Sequence, residues 1–220
     1  CRNDKGTHRA MNRFQSFFYK VSKNNTRTCW VLKCDIRKFF ASIDQEILLK
    51  VLVRYIPDQR IVGLLREIVQ SFHSQAPGVG LPLGNLTSQL FVNIYMNEFD
   101  QFVKHKLKAK YYVRYADDFV FLSENKAYLE KLLPLVLVKD FLNKNLALSL
   151  HPDKVYIKTF ASGIDFLGWI HFPDHRVLRG ATKRRMLRNL AIERSEPRLQ
   201  SYRGLLSHGN AKKLSTLHLD

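Results

Sequence analysis

The stretch Tyr115-Ala116-Asp117-Asp118 sits between two short apolar runs, Tyr111 to Tyr115 and Phe119 to Leu122. Two such runs meeting at a tight turn predict a β-hairpin with carboxylates at its tip. A third carboxylate, Asp35, closes a separate apolar run, Trp30-Val31-Leu32-Lys33-Cys34. Carboxylates brought together by the ends of separate strands can hold two divalent ions about 3.5–4 Å apart, the clamp for the attacking and leaving oxygens of a phosphoryl transfer. Taken alone, the aspartate pair fits equally well a plain surface turn, with Asp35 unrelated to it.

Charge narrows the choice of partner. The formal net charge is +17 over 220 residues, which implies a polyanion: nucleic acid or an anionic membrane. No apolar run approaches the roughly 20 residues that span a bilayer, and no signal-peptide pattern opens the sequence, so nucleic acid leads and no membrane partner is expected. A hydrophobic share of 45% supports a packed core rather than a disordered chain. The three cysteines, Cys1, Cys29 and Cys34, form no Cys-x-x-Cys pair. Cys29 and Cys34 lie five apart on one predicted strand and so point to opposite faces. A disulfide framework and a zinc site are both disfavoured, and a reducing cytoplasm is the expected location. The eight histidines show no ligand spacing and read as surface or loop residues.

Periodicity predicts a helix over 7–22 with Thr7 as N-cap and Phe14, Phe17, Phe18 and Val21 as its apolar stripe. A strand follows over 29–36. Asp44 caps a helix from Gln45 to Tyr55, with Glu46 and Lys50 as an i,i+4 pair. Further helices are expected from Asp58 to Phe72 and from Leu86 to Leu107, separated by a Gly/Pro-rich loop over 76–84. The hairpin covers 110–123. A helix over 125–147 is open to interruption at Pro134. Strands around 155–160, 164–171 and 176–178 precede two helices, 181–194 and 197–208. The pattern is an α+β domain: a small antiparallel sheet with helices on one face, then a helical appendage.

Five motifs in order resemble the reverse transcriptase family over nearly the whole chain. Asp35-Ile36-Arg37-Lys38-Phe39-Phe40 resembles its first palm motif. Gly80-Leu81-Pro82-Leu83-Gly84-Asn85-Leu86-Thr87-Ser88-Gln89 resembles its template-and-nucleotide loop, and Tyr115 to Asp118 its catalytic hairpin. Leu150-His151-Pro152-Asp153-Lys154 resembles the motif that ends in lysine, and Phe166-Leu167-Gly168-Trp169 the primer grip. The resemblance implies a right-hand polymerase palm over 29–179, partial fingers over 1–28 and the start of a basic helical thumb over 180–220. The first residues resemble the family's Arg-x-x-x-Gly-Thr-His, which implies that a preceding fingers segment is missing and that the thumb is cut short at Asp220.

The same resemblance implies roles. Asp35 and Asp117 would hold two Mg²⁺ ions, or Mn²⁺ in their place, with the Ile36 carbonyl completing one sphere and Asp118 a weaker ligand. Asp44 stays a helix cap. Lys154 would be the general acid for departing pyrophosphate. Phe40 would be the ring that rejects a ribose 2′-OH, with Phe39 in the core. Arg2 and Lys5 would grip the triphosphate, and Leu83 and Gly84 would lie near the incoming nucleotide. Ser88, in the helix beyond the loop, would contact the template or primer. Gln89 reads equally as a template contact or as a residue that holds the helix start. Phe166, Leu167, Gly168 and Trp169 would position the primer end. Residues 176–213 hold eleven Arg/Lys and two acids, including Lys183, Arg184, Arg185 and Arg188. A stretch so one-sided reads as a phosphate track, with Trp169 and Tyr202 beside it on the hybrid duplex.

Leu83-Gly84-Asn85-Leu86-Thr87-Ser88-Gln89 departs from the Gln-Gly-x-x-x-Ser-Pro of retroviral and group II intron enzymes and resembles reverse transcriptases of diversity-generating retroelements. That implies error-prone, RNA-directed cDNA synthesis by a bacterial or phage enzyme. Its partners would be an RNA template, a DNA or RNA primer, dNTPs and a small basic accessory protein. A group II intron-like or phage-defence reverse transcriptase is one alternative. A non-catalytic RNA-binding splicing or assembly factor on a polymerase fold is the other.

Overall fold

The computed structural model describes residues 5–74, 76–132, 137–212, 214 and 216. The apolar run before Asp35 forms β1 (Trp30–Asp35), the hairpin supplies β2 (Tyr112–Tyr115) and β3 (Asp118–Ser123), and β4 (Tyr156–Thr159) completes an antiparallel sheet of order β2-β3-β1-β4. Alternation along β1 sends Leu32 and Cys34 into one core and Val31 into another. Cys29, just before the strand, joins the Val31 side, so the two cysteines do face opposite ways. Burial pushes both thiols up to about 12, which leaves them protonated and unreactive at neutral pH.

Helices cover both faces of this sheet, not one. Against the Leu32 face lie α2 (Gln45–Tyr55), α4 (Leu86–Gln101), α5 (Lys126–Leu132) and α6 (Val138–Leu146). The opposite face takes α1 (Thr7–Val21), whose Phe14, Phe17, Phe18 and Val21 pack with Val31, Val120 and Leu122. Each fully buried Phe of that stripe contributes roughly 1.5–3 kcal/mol. The element pattern predicts cover on one face, but β1 is a single apolar run, and a run apolar on both faces needs cover on both.

Local chemistry fixes the helix ends. Asp44 and Asp58 accept hydrogen bonds from the backbone N–H groups of Ile47 and Arg60, starting α2 and α3 (Gln59–Gln70). Thr7 is not the cap expected for α1: Gly6 holds that position, and the Thr7 hydroxyl donates instead to the Tyr115 hydroxyl at 3.0 Å. The helix expected to reach Leu107 leaves α geometry after Gln101 and continues as a π-helical turn, Phe102–Lys106, whose Phe102 ring stacks on Phe141 at 4.2 Å. The stretch over 125–147 is two helices, α5 and α6; Pro134 lies outside the described residues.

A second antiparallel sheet, β5 (Ile164–Phe166), β6 (Trp169–His171) and β7 (Arg176–Leu178), leads into α7 (Gly180–Ile192) and α8 (Glu196–Leu206). The last two helices share a small separate core around Met186 and Leu206. His171, expected at the surface, is buried: its Nε2 faces the Phe166 carbonyl at 3.2 Å, and burial lowers its pKa to about 4. Among the described residues, no helix is long and apolar enough to cross a membrane.

Candidate active site

The sheet register brings the acids together. Asp35, the last residue of β1, lies directly across from Asp118, the first of β3. Asp117 occupies the two-residue turn between Tyr115 and Asp118, which are themselves paired. The Ile36 N–H donates to the Asp117 carbonyl at 3.3 Å, and the His151 N–H donates to the Asp35 carbonyl at 2.8 Å. Ile36 bridges Leu150 through its neighbours' bonds, so its own N–H and carbonyl turn to the hairpin side. Three chain segments distant in sequence, at Asp35–Ile36, Asp117–Asp118 and His151, therefore converge on one strand end.

Two lysines enter the cluster. Lys154 closes a short 3₁₀ turn, Pro152–Lys154, and places Nζ 3.2 and 3.4 Å from the Asp35 carboxylate oxygens. Lys33, two residues before Asp35 on the same face of β1, is buried, and its ammonium pairs with Asp118. Sequence reasoning passed over Lys33 as one polar member of an apolar run. The strand period of two, which puts Lys33 beside Asp35, was the clue.

The carboxylates are held at a cost. Burial, followed by the Asp35 charge, raises the Asp117 pKa above the usual carboxylate range. Asp118 is raised to about 6, chiefly by burial and against the pull of Lys33. Carboxylates desolvated beside like charge suit a divalent cation, which would relieve both penalties. Among the described residues, no three His, Cys, Asp or Glu side chains form a ready-made metal cage. The donor set instead suits Mg²⁺, which takes one or two carboxylates and completes its shell with water and substrate phosphates. Among the described residues Asp117 has no ion-pair partner, and Asp35 is paired only with the exposed Lys154.

A second unread feature braces the turn. Ala116 has a left-handed backbone, φ 53°, which costs a non-glycine residue about 1–2 kcal/mol. Its carbonyl accepts from Arg114 Nη1 at 3.0 Å. The Arg114 guanidinium in turn grips Asp100 of α4 through Nε at 2.9 Å and Nη2 at 2.6 Å, and the Tyr112 hydroxyl donates to the same carboxylate at 2.9 Å. Tyr112 and Arg114 share one face of β2, so the strand period builds this network.

The other expected residues divide. Lys38, at φ 46°, turns the chain after β1 into a 3₁₀ segment, Phe39–Ser42; Phe39 is buried there, while Phe40 is half-buried with its ring 5.5 Å from that of Phe39. Leu83 is 79% exposed beside Gly84, and Ser88 is buried just inside α4. Gln89 follows, half-buried. Phe166 and Trp169 pair across a two-residue turn, but their side chains are 0% and 1% exposed, so neither ring can touch a primer. Leu167 and Gly168, both at positive φ, form the presented part of that turn. Trp169 packs under the Arg176 guanidinium and against Gly209, and the Tyr202 hydroxyl accepts from Asn189 at 3.1 Å. On α7, Lys183, Arg184, Arg185 and Arg188 are exposed, whereas Arg179 and Arg198 pair with Asp165 and Glu193. Lys5 is exposed; Arg2 lies outside the described residues.

Comparison with known proteins bears on family and fold. The chain is 28% identical over 191 residues to Protein YkfC of Escherichia coli (strain K12), covering 70% of this chain and 48% of that one. It is 22% identical over 210 residues to a putative COX1/OXI3 intron 2 protein of Saccharomyces cerevisiae, covering 67% and 24%. The chain thus spans about half or less of the curated relatives it matches. Telomerase from Candida albicans, solved with a fragment of telomeric RNA, superposes with a TM-score of 0.61 at 12% identity, over 92% of this chain and 42% of that one. Apo telomerase from Candida tropicalis truncated from its C-terminal domain gives 0.59 at 15% identity, over 79% and 40%. At those identities the likeness establishes the fold, an α+β polymerase palm. The profile described as Reverse transcriptase (RNA-dependent DNA polymerase) matches residues 3–171, which include β1, the acidic hairpin and the lysine turn, and the chain accordingly belongs to the reverse transcriptase family.

Proposed function

We propose that this chain extends a primer with deoxynucleotides on an RNA template. The observation that carries the reading is the convergence of Asp35, Asp117 and Lys154 at one strand end, with Phe40 and the exposed Leu83 on the segments that follow β1 and precede α4. Asp35 and Asp117 would hold divalent ions, Mg²⁺ or Mn²⁺, with the Ile36 carbonyl beside them. When bound, such ions supply Lewis-acid stabilisation to the attacking and leaving oxygens. Asp118, held by Lys33, stands next to that pair as a lesser ligand. Lys154, with Nζ beside the Asp35 carboxylate, would give a proton to departing pyrophosphate, help worth roughly 10²–10⁴-fold. Lys5, with Arg2, would meet the triphosphate. Leu167 and Gly168 are the candidate primer contacts, and Lys183, Arg184, Arg185 and Arg188 the phosphate track on α7, the start of the thumb.

Phe40→Ala should admit ribonucleotides. A ring at the ribose edge rejects the extra hydroxyl by clash, and one such pocket change is worth roughly 10–200-fold in discrimination. Matched competition between dNTP and rNTP measures it. Unchanged sugar selection in an active variant would place the gate elsewhere.

Within the family, Leu83 and Gln89 favour a diversity-generating enzyme that copies its template with errors at adenine, assisted by a small basic accessory protein. Leucine offers no hydrogen bond at the nucleotide, whereas a glutamine there would. The competing reading is an intron-encoded enzyme, and the yeast intron protein among the relatives favours it. Sequencing cDNA made by the wild type and by Leu83→Gln on one RNA template separates them. Misincorporation concentrated opposite adenine, reduced several-fold by Leu83→Gln, is expected, since one polar contact is worth roughly 0.5–1.5 kcal/mol. A low, even error rate across all four template bases would leave the intron type.

A further inference from the structure

Gln45 opens α2 and is 2% exposed, unusual for an amide outside any apparent site. Its Nε2 donates to two backbone carbonyls from distant segments, Phe72 at 2.6 Å and Gly80 at 3.0 Å. Only a donor fits between two carbonyl oxygens, so the amide orientation is fixed, and Oε1 is left buried with no partner in the structure. An orphaned buried acceptor is a cost that an apolar side chain would avoid.

What this amide ties together bears on the reaction. The segment from Phe40 to Gln45 runs beside 78–81 through a ladder of bonds. Leu81 N–H donates to the Phe40 carbonyl at 2.8 Å, Gly80 N–H to Ile43 at 2.8 Å, and Gln45 N–H to Gly78 at 3.0 Å. Ser74 Oγ donates to the Ala41 carbonyl at 2.7 Å and to Val79 at 3.0 Å. Gly80, at φ 105°, lets these strands close, because a Cβ there would lie 2.6 Å from Ser74. The end of the ladder where Leu81 bonds Phe40 carries the Phe40 ring on one segment and runs directly into Leu83 and Gly84 on the other.

We propose that Gln45 is a positioning residue that fixes the spacing between the Phe40 turn and the Leu83–Gly84 loop, and through it the fit of the incoming nucleotide. The inference rests on the polymerase reading above. Asp44 beside it caps α2 by an ordinary backbone bond, so helix capping does not explain the buried amide.

Single-nucleotide incorporation by the purified chain on a primed RNA template tests the proposal. Gln45→Met keeps the length and removes both donors. The nucleotide KM should rise about tenfold, as expected for one or two lost hydrogen bonds, and dNTP over rNTP selection should fall several-fold. By contrast kcat and hybrid affinity should stay within about threefold. Ser74→Ala, which loosens the same ladder, should act in the same direction and combine less than additively with Gln45→Met, because the two share one network. If Gln45→Met does not fold, Ser74→Ala carries the test alone. Variants with lowered thermal midpoints but wild-type KM and sugar selection would make the ladder purely structural and overturn the proposal. A wild type that extends nothing would overturn the polymerase reading, and this inference with it.

Discussion

Asp117→Asn should lower primer extension by about 10³-fold or more while hybrid binding stays within about twofold. Loss of one metal-ligand charge removes several kcal/mol of transition-state stabilisation, and each 1.36 kcal/mol is about tenfold in rate. Duplex affinity should come instead from basic side chains such as Arg184, Arg185 and Arg188, far along the chain on α7. The substitution is close to isosteric. It also removes a charge that burial and Asp35 both oppose, so the metal-free variant should melt at or above the wild-type temperature. Added Mg²⁺ should raise the melting temperature of the wild type and raise that of Asp117→Asn less. Extension at near wild-type rate would remove Asp117 from the metal site. A variant that melts well below wild type without metal would mean that the carboxylate has a structural anchor.

The part of this site carried by local pattern could be read in the sequence. Apolar runs that stop at Asp35 and at Tyr115 predicted the strand ends, and Asp44 and Asp58 announced their helices. Contacts between segments were beyond that reading. Lys33 looked like a defect in an apolar strand until β3 placed Asp118 on its diagonal. Asp100 and Arg114 are fourteen residues apart on a helix and a strand, and nothing in either segment names the other. Gln45 read as a first-turn helix residue, because its carbonyl partners lie 27 and 35 residues downstream. Phe166 and Trp169 were misplaced for the opposite reason. Motif order put them near the primer, but a turn flanked by aromatics presents its central residues and buries its flanks, and β5 packs its flank against α1.

The brace behind the hairpin gives the other large effect. Arg114→Met should destabilise the fold by roughly 3–5 kcal/mol, because it leaves the mostly buried Asp100 carboxylate without its guanidinium. That loss alone would not tie the pair to activity. Replacing the whole network separates the two roles: Tyr112→Phe, Arg114→Met and Asp100→Leu together leave no buried charge and no orphaned hydroxyl. Apolar replacement of a complete buried ionic group is often neutral or stabilising, so the triple variant should recover most of the lost stability. Activity should not recover with it. Ala116 would still need its left-handed backbone, and its carbonyl would have lost the Arg114 bond that holds the turn beneath Asp117. Extension by the triple variant is therefore expected to stay at least about tenfold below wild type, the scale of one lost bond to a charged donor. Adding Ala116→Gly should restore part of it, since glycine adopts that backbone without steric cost. Full activity in the stable triple variant would show that the sheet alone positions Asp117, and would reduce the Arg114–Asp100 pair to a contributor to stability.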